Sequence, residues 1–290
     1  MSMDRFGERR GGSPEELEFA AVLERAHEKA STMLAAKAVD MNAFRNIYGD
    51  AEVRGDEAKV ADYERKFAAA DTTEQKRRDK KLATVVEAIF FDQAGRNGWL
   101  GAEAQVLPSS KYDDYVNGVD CITEYKKGGA AAYLAMAIDA TWSSHPGWKF
   151  NRIREDLVRG KLGNIKYLEA DGKPQRKREV PRVVVGASEQ TLREVVAFWT
   201  EGNDEALKDH PIQVLFLQEI VDQLEGFKTF SQKRNHTKNV AVFDEYLAIL
   251  KPILEEKKRT VGTAEQFGND TVQSGIKASL FGLNYERPAA

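Results

Sequence analysis

The sequence predicts an α/β (α+β) fold in which a mixed central sheet is flanked by helices, with further helices at both ends of the chain. Apolar residues recur at helical spacing over much of the first and last thirds of the 290 residues. Between residues 104 and 187 the pattern changes to the alternation that is typical of strands. The segments follow one another as a helix, three strands, a helix, a strand and a helix, which indicates a sheet with helices packed on it.

The N-terminal third is predicted to be helical. Ser13 followed by Pro14 is a typical helix start, because serine caps the free N–H groups and proline fits the first helical position. Three helices are expected, over residues 17–39, over residues 56–70, and from near Thr73 through the mostly apolar residues 82–91 to the turn at residues 95–98.

Four strands are predicted, at residues 104–107, 119–125, 133–141 and 180–187. A helix that opens soon after Pro146 separates the last two. Ser188 is expected to cap the next helix and Pro211 to begin another, and residues 240–258 form a third. The tail from Thr263 has no clear periodicity and is expected to be loosely ordered. The predicted units are an N-terminal helical extension (1–75), a sheet-bearing core (76–200), C-terminal helices packed on the core (201–262) and the tail (263–290).

Composition excludes several classes of protein. The single cysteine, Cys121, excludes an internal disulfide framework and fits a reducing cytoplasm. The longest mostly apolar run, residues 82–91, is too short to span a membrane, and residues 1–13 lack the apolar segment of a secretory signal. A formal net charge of −3 gives no global attraction to nucleic acid. Such a partner would have to bind the basic runs at residues 76–81 and 173–178, which a solvated helix end or loop would also explain.

The motifs of several enzyme classes are absent from the sequence. It has no Walker phosphate loop, Rossmann glycine fingerprint, nucleophile elbow or kinase signature. Its four histidines are scattered without zinc-ligand spacing, and only one cysteine could join them. Catalysis, if any, must therefore come from carboxylates, amines and hydroxyls.

Two aspartates lie in the second and third predicted strands, which a glycine-containing turn joins. If Lys127 pairs with Ala132 across that turn, Asp120 lies directly opposite Asp139. Carboxylates that close repel each other unless one is protonated or a cation holds both, and Mg²⁺ or Mn²⁺ is the cation that prefers oxygen ligands. A slipped register, or an aspartate bonded to backbone amides at a strand end, is the alternative.

Glu87 is the third candidate acid. Its helical neighbours, three or four residues away, are Ala83, Thr84, Phe90 and Phe91, none of which is charged. A carboxylate on such a face either lies on the rim of the core or reaches into a polar site. Together with the two aspartates it would form a cation site.

These acids resemble those of the PD-(D/E)XK, or restriction-endonuclease-like, superfamily of metal-dependent nucleases. The core of that family is a helix with a glutamate, a strand with an aspartate, a strand with an Asp/Glu-x-Lys signature, a helix and a further strand. The matching segments here are VVEAIFF with Glu87, NGVDCITEY with Asp120 and AMAIDAT with Asp139. The resemblance covers residues 82–187 and implies a restriction-endonuclease-like core, in a branch with DDY-x-NGVD and AIDAT as its own signatures.

The resemblance has one departure, at the lysine of the signature. Thr141 stands in its place, so the amine would have to come from elsewhere. Lys149, near the start of the following helix, is the candidate for a displaced lysine, and Arg152 is the second choice. Lys126 and Lys127, at the turn, are weaker choices. Lys149 could equally be a surface lysine at a helix start.

The function implied by the resemblance is that of a Mg²⁺- or Mn²⁺-dependent phosphodiesterase acting on DNA. Asp120 and Asp139 would hold the metal, with Glu87 as a further ligand, and Asp114 would orient a second metal or a water molecule. Lys149 would stabilise the charge that develops on the phosphate. The alternative is a non-catalytic structural or regulatory binding module of the same fold, whose long terminal helices form the partner surface.

Overall fold

The centre of the structure, a computed structural model, is a four-stranded mixed sheet. The residues described are 13–70, 72–126, 133–170, 172–176 and 178–284. The strands are β1 (Ala104–Pro108), β2 (Cys121–Lys126), β3 (Tyr133–Thr141), β4 (Gly163–Ile165), β5 (Leu168–Ala170), β6 (Lys173–Gln175), β7 (Arg178–Val180) and β8 (Arg182–Gly186). The central sheet has the order β1-β2-β3-β8, antiparallel up to β3 and parallel between β3 and β8. The predicted mixture of helices and a mixed sheet is confirmed.

Helices make up most of the remaining structure. They are α1 (Pro14–Lys37), α2 (Arg45–Tyr48), α3 (Asp50–Ala70), α4 (Glu74–Arg96), α5 (Gly147–Val158), α6 (Glu189–Glu201), α7 (Asp204–Lys208), α8 (Ile212–Lys233), α9 (Thr237–Thr260) and α10 (Thr271–Asn284). Short 3₁₀ turns occur at Met41–Phe44 and Ala264–Phe267, and a π-helical turn at Asp113–Asn117. No helix in the described ranges is both long and apolar enough to cross a membrane.

Several helix boundaries follow from caps that the sequence shows. The Ser13 hydroxyl accepts a hydrogen bond from the Glu16 N–H, and the Glu16 carboxylate accepts one from the Ser13 N–H, which completes a capping box before Pro14. Thr73 caps α4, which begins near the predicted position, and Ser188 caps α6 as predicted. The end of α4 was predicted too early, since the helix continues through Gly95 to Arg96.

Two predicted strands need correction. Asp120 does not lie inside β2 but one residue before it. The predicted strand at residues 180–187 is split by Pro181, which has no N–H to donate, into the end of β7 and the start of β8. The register of β2 with β3 is the predicted one, from Cys121 opposite Ile138 to Lys126 opposite Tyr133. The predicted pair Lys127 and Ala132 lies outside the described residues.

The central sheet has two differently covered faces. The main core includes the rings of Phe90, Trp99 and Phe216 and lies where the helices pack on one face. The other face carries Ile122 and Ala137 and is covered by the two small ribbons β4–β7 and β5–β6, which the sequence did not predict.

Side chains of α8 satisfy the outer edge of β8. The Gln223 amide accepts a hydrogen bond from the Val184 N–H at 2.8 Å and donates one to the Val184 carbonyl at 2.6 Å. The Glu219 carboxyl accepts a bond from the Gly186 N–H at 2.9 Å. These groups replace the next strand of the sheet, so that a buried strand edge keeps its hydrogen bonds.

The tail is the clearest error of the sequence prediction. Residues 271–284 form α10, and its apolar residues Val272, Ile276 and Leu283 are buried. The buried Asp270 carboxylate accepts hydrogen bonds from the N–H groups of Val272 and Gln273, which fixes the start of this helix. The tail is therefore part of the packed structure as far as residue 284.

Replacing Gln223 tests the role of α8 at this edge. Gln223→Leu keeps a similar side-chain volume but leaves the Val184 N–H and carbonyl without the Gln223 amide as their partner. We therefore expect a loss of about 2–4 kcal/mol in the free energy of unfolding. Urea denaturation measures the loss. Gln232→Leu, at an exposed position of the same helix, should change stability by less than about 0.5 kcal/mol. An equal effect of both variants would contradict this role.

Candidate active site

The acids singled out from the sequence meet in one open cavity of about 860 Å³. Its walls come from α1, α3, α4, the π-helical turn and the start of α5. We call it the acid cavity, after the five side chains at its charged end: Glu87, Asp114, Asp120, Asp139 and Lys149. The structure thus brings together every predicted site residue, although they come from five separate places in the chain.

Asp120 and Asp139 are positioned by the pairing of β2 with β3. The Asp120 N–H donates to the Ile138 carbonyl at 2.9 Å, and its carboxylate accepts a bond from the Ala140 N–H at 2.6 Å. Part of the alternative considered from the sequence, an aspartate bonded to a backbone amide at a strand end, is therefore present. It occurs together with the predicted register. Among the charged groups around Asp120, Asp139 has the largest effect on the pKa of the Asp120 carboxyl.

Asp114 is held by the π-helical turn. Its neighbour Asp113 is fully buried and accepts hydrogen bonds from the backbone N–H groups of Lys166 and Tyr167 at 2.8 and 2.9 Å. The turn ends at Gly118, whose positive φ of 65° favours glycine. Asp114 then lies in the same cavity as Asp120, where the negative charge of each carboxylate disfavours ionisation of the other.

Lys149 enters the cavity from the first turn of α5. Its ammonium forms an ion pair with Asp139 Oδ1 and donates to the Ala140 carbonyl at 3.1 Å. Only 12% of the Lys149 side chain is exposed, so it is not the surface lysine of the alternative interpretation. Thr141, in the position of the missing lysine, is buried, and its hydroxyl accepts a bond from the Ser143 N–H.

Two arginines lie behind Asp139. A Cβ on Gly118 would lie 3.3 Å from Arg152 Nη1 and 3.7 Å from both Arg182 Nη1 and Asp139 Oδ2, so glycine leaves room for these groups. Arg182 was missed by the sequence analysis. It is buried and donates to the Asn117 carbonyl, which ties β8 to the π-helical turn. An arginine directly before the apolar run VVVG was the available signal.

The carboxyl groups of the cavity hold their protons unusually tightly. Burial, followed by repulsion from Asp114 and Asp139, raises the pKa of Glu87 to about 8. Burial and repulsion from Asp139 raise the pKa of Asp114 to about 7. The pKa values of Asp120 and Asp139 are raised by burial too, although Lys149 opposes the shift at Asp139. Ionising all of these carboxyl groups together therefore costs free energy, which further positive charge in the cavity would reduce.

This donor set matches Mg²⁺ or Mn²⁺ in type, since it consists of oxygen ligands alone. Within the described ranges, no three Asp, Glu, His or Cys side chains are arranged to hold a metal ion. Lys149 engages one Asp139 oxygen, and the Ala140 N–H engages one of Asp120. The predicted metal stays a prediction.

The two basic runs contribute little to the cavity. Residues 76–81 lie in α4, where Arg78 pairs with Glu189 and Lys81 with Glu24. Among the described residues of the two runs (76–81, 173–176 and 178), Lys80 alone lines the cavity. The predicted nucleic-acid contact through these runs stays untested.

Comparisons with protein-family models, with curated proteins and with solved structures find no match to this chain. A functional conclusion has to come from the geometry and chemistry of the acid cavity.

The raised pKa of Glu87 predicts a specific dependence of stability on pH. A carboxyl whose pKa rises from 4.5 to about 8 on folding binds its proton more tightly in the folded state. The folded state therefore loses stability as the pH rises through that window. Glu87→Gln removes this loss, so the variant should be close to the wild type at pH 5 and more stable at pH 8.5, on the order of 4 kcal/mol.

Urea denaturation at both pH values measures the difference between variant and wild type. Glu103→Gln, at an exposed position after α4, serves as the control and should follow the wild type at both pH values. A Glu87→Gln variant whose difference from the wild type does not change with pH would contradict the assigned environment of Glu87.

Proposed function

We propose that this protein is a metal-dependent phosphodiesterase that cleaves DNA. The observation that carries the proposal is the contact of Lys149 with Asp139 in a cavity shared with Asp120, Asp114 and Glu87. A lysine beside a group of carboxyl ligands supplies the two things that phosphodiester hydrolysis needs: a site for a divalent cation and a positive charge for the phosphate.

The order of elements around the cavity supports the same proposal. A helix with Glu87 (α4) precedes three antiparallel strands, and α5 is followed by the two small ribbons and then by β8, which is parallel to β3. Apart from β1 and the ribbons, this order matches the one that the resemblance implies for a restriction-endonuclease-like core. We propose membership of that superfamily on this order together with the positions of the acids.

Each residue has a role that its surroundings allow. Asp120 and Asp139 would hold the cation, with Glu87 as a further ligand and Asp114 orienting a water molecule or a second ion. A bound Mg²⁺ would polarise the phosphate and lower the pKa of a water molecule. Lys149 has three N–H donors, of which Asp139 and the Ala140 carbonyl engage two. The third is left to donate to a phosphate oxygen.

Glu87→Gln tests the assignment of the ligands. The amide keeps the shape and the hydrogen bonding of the carboxyl but cannot carry negative charge, so affinity for Mn²⁺ should fall about ten-fold while the fold is kept. Titration calorimetry at pH 8 measures the affinity, and buffers of different ionisation enthalpy should show proton release on binding. Glu64→Gln, in the same cavity but paired with Lys111, is the matched control. Unchanged affinity in Glu87→Gln would remove Glu87 from the site.

Lys149→Ala tests the catalytic proposal itself. We expect wild-type protein with Mg²⁺ or Mn²⁺ to cleave DNA, and Lys149→Ala to lose about 100-fold or more of the rate because the charge on the phosphate loses its partner. Mn²⁺ affinity and circular dichroism should stay near the wild type. Lys149→Arg should recover little, since guanidinium differs in shape and does not release a proton.

Lys161→Ala is the control for the loss of a lysine, because Lys161 follows α5 and is exposed. Cleavage is followed on gels with single- and double-stranded substrates. Normal cleavage by Lys149→Ala would contradict the role of this lysine. No cleavage by the wild type on any DNA, with either metal, would contradict the enzyme proposal and favour the non-catalytic binding module.

A further inference from the structure

Two exposed aromatic side chains line the acid cavity, where their exposure has no structural explanation. Trp148 is 62% exposed and Phe67 is 41% exposed. Both line the cavity, whereas the other large apolar side chains exposed in the described part of the chain, Leu17, Val158 and Phe281, do not. A tryptophan left in water forgoes the burial of a large apolar surface, so its position calls for a partner.

Trp148 adjoins a charged group of the site, and Phe67 packs against the turn that carries another. Trp148 directly precedes Lys149, whose ammonium lies 5.5 Å from the centre of its ring. Phe67 packs edge to face against Tyr115 at 5.2 Å, and Tyr115 follows Asp114 in the π-helical turn. A ligand whose phosphate reached Lys149 would therefore have aromatic surfaces within a short distance of that phosphate.

A large part of the remaining wall is apolar, formed by Leu34, Ala35, Ala38, Ala83 and Phe91. Three basic side chains, Lys80, Lys111 and Arg152, also line the cavity, and Lys111 is paired with Glu64. The apolar and aromatic part of the wall suits the flat face of a base, and the basic side chains suit the phosphates of the same strand.

We infer that the substrate of the acid cavity is single-stranded DNA, whose unpaired bases stack on Trp148 and Phe67 while a phosphate reaches Lys149. This inference rests on the proposed phosphodiesterase function for the choice of DNA as the ligand. In a duplex the faces of each base are covered by its neighbours, so an internal base pair offers no face to Trp148. A cavity of about 860 Å³ is within the range of ligand pockets, about 300–1,000 Å³, and holds a few nucleotides rather than a duplex.

The test measures binding rather than cleavage. Fluorescence anisotropy in EDTA at low salt compares three labelled ligands of about ten nucleotides: a single strand, the same length of abasic single strand, and a blunt duplex of the same sequence. The abasic strand keeps the phosphates but has no bases to stack. We expect the single strand to bind about ten-fold more tightly than either of the other two.

Variants of Trp148 separate stacking from general attraction. Trp148→Ala should lose about ten-fold in affinity for the single strand and leave the abasic strand unchanged, and Trp148→Phe should keep most of the affinity. Phe281→Ala, an exposed aromatic residue outside the cavity, should bind as the wild type does. Because Trp148 is exposed, none of these changes should affect folding, which circular dichroism checks.

The outcomes of this test are separate from those of the cleavage test. Duplex or abasic binding as tight as single-strand binding would overturn the inference, and so would a Trp148→Ala variant with wild-type affinity. Tight binding of the single strand by a protein that cleaves no DNA would support this inference and contradict the proposed catalytic function.

Discussion

The ion pair between Lys149 and Asp139 is the interaction on which the acid cavity depends. Asp139 is buried among three further carboxyl groups, so its negative charge is costly unless a cation is held beside it. Lys149 can reach Asp139 only if α5 begins at the right place above the sheet. Two elements fix that start: Pro146, whose carbonyl accepts from the Lys149 N–H at 2.9 Å, and α10, which packs on α5. A Cβ on Gly275 of α10 would overlap the Ser144 carbonyl, so glycine permits this close approach.

The acidic turn depends on a second, separate set of contacts. Asp113 binds the backbone of Lys166 and Tyr167, and these residues bind Asp56 of α3, through the Tyr167 hydroxyl at 2.9 Å and the Lys166 ammonium at 2.5 Å. The N-terminal helices are thereby connected to the turn that carries Asp114. The predicted N-terminal extension and the predicted core are therefore in contact at this point. Asp56 of the extension and Asp113 of the core bind the same two residues, Lys166 and Tyr167.

The sequence predicted the parts of the site that local rules determine. The alternation in β2 and β3 with a glycine turn between them fixes the pairing of Cys121 with Ile138, and ten residues after Asp139 suffice for a turn and a helix start that bring Lys149 back. The uncharged helical neighbours of Glu87 left two places for its carboxyl, the rim of the core or a polar site, and in the structure it lines the acid cavity.

The parts that were missed depend on contacts between distant residues. The helix α10 contains Gly275 and Gly282, which lower its intrinsic helix propensity, and it is stable only because Val272 and Ile276 are buried against the rest of the protein. The π-helical turn depends on Asp113 meeting Lys166 and Tyr167, more than 50 residues away. Arg182 is explained only when β8 lies beside the turn. A local pattern can mark such a residue as unusual, but it does not contain its distant contact partner.

A raised pKa by itself does not mark a functional group in this protein, and Glu219 shows why. Its carboxyl is buried in α8 and its pKa is raised by burial, yet its surroundings are packed and its one hydrogen bond, from the Gly186 N–H, completes the edge of β8. A protonated carboxyl fulfils that structural role. In the acid cavity the same physical cause acts on several carboxyl groups at once, beside an ammonium and beside open volume. Burial of a single acid can be explained by packing, but four acids around one accessible space cost stability that the contacts of Asp120 and Asp139 with Ala140 and Lys149 only partly offset. That difference, rather than the size of any one shift, is the reason to propose the acid cavity as the functional site.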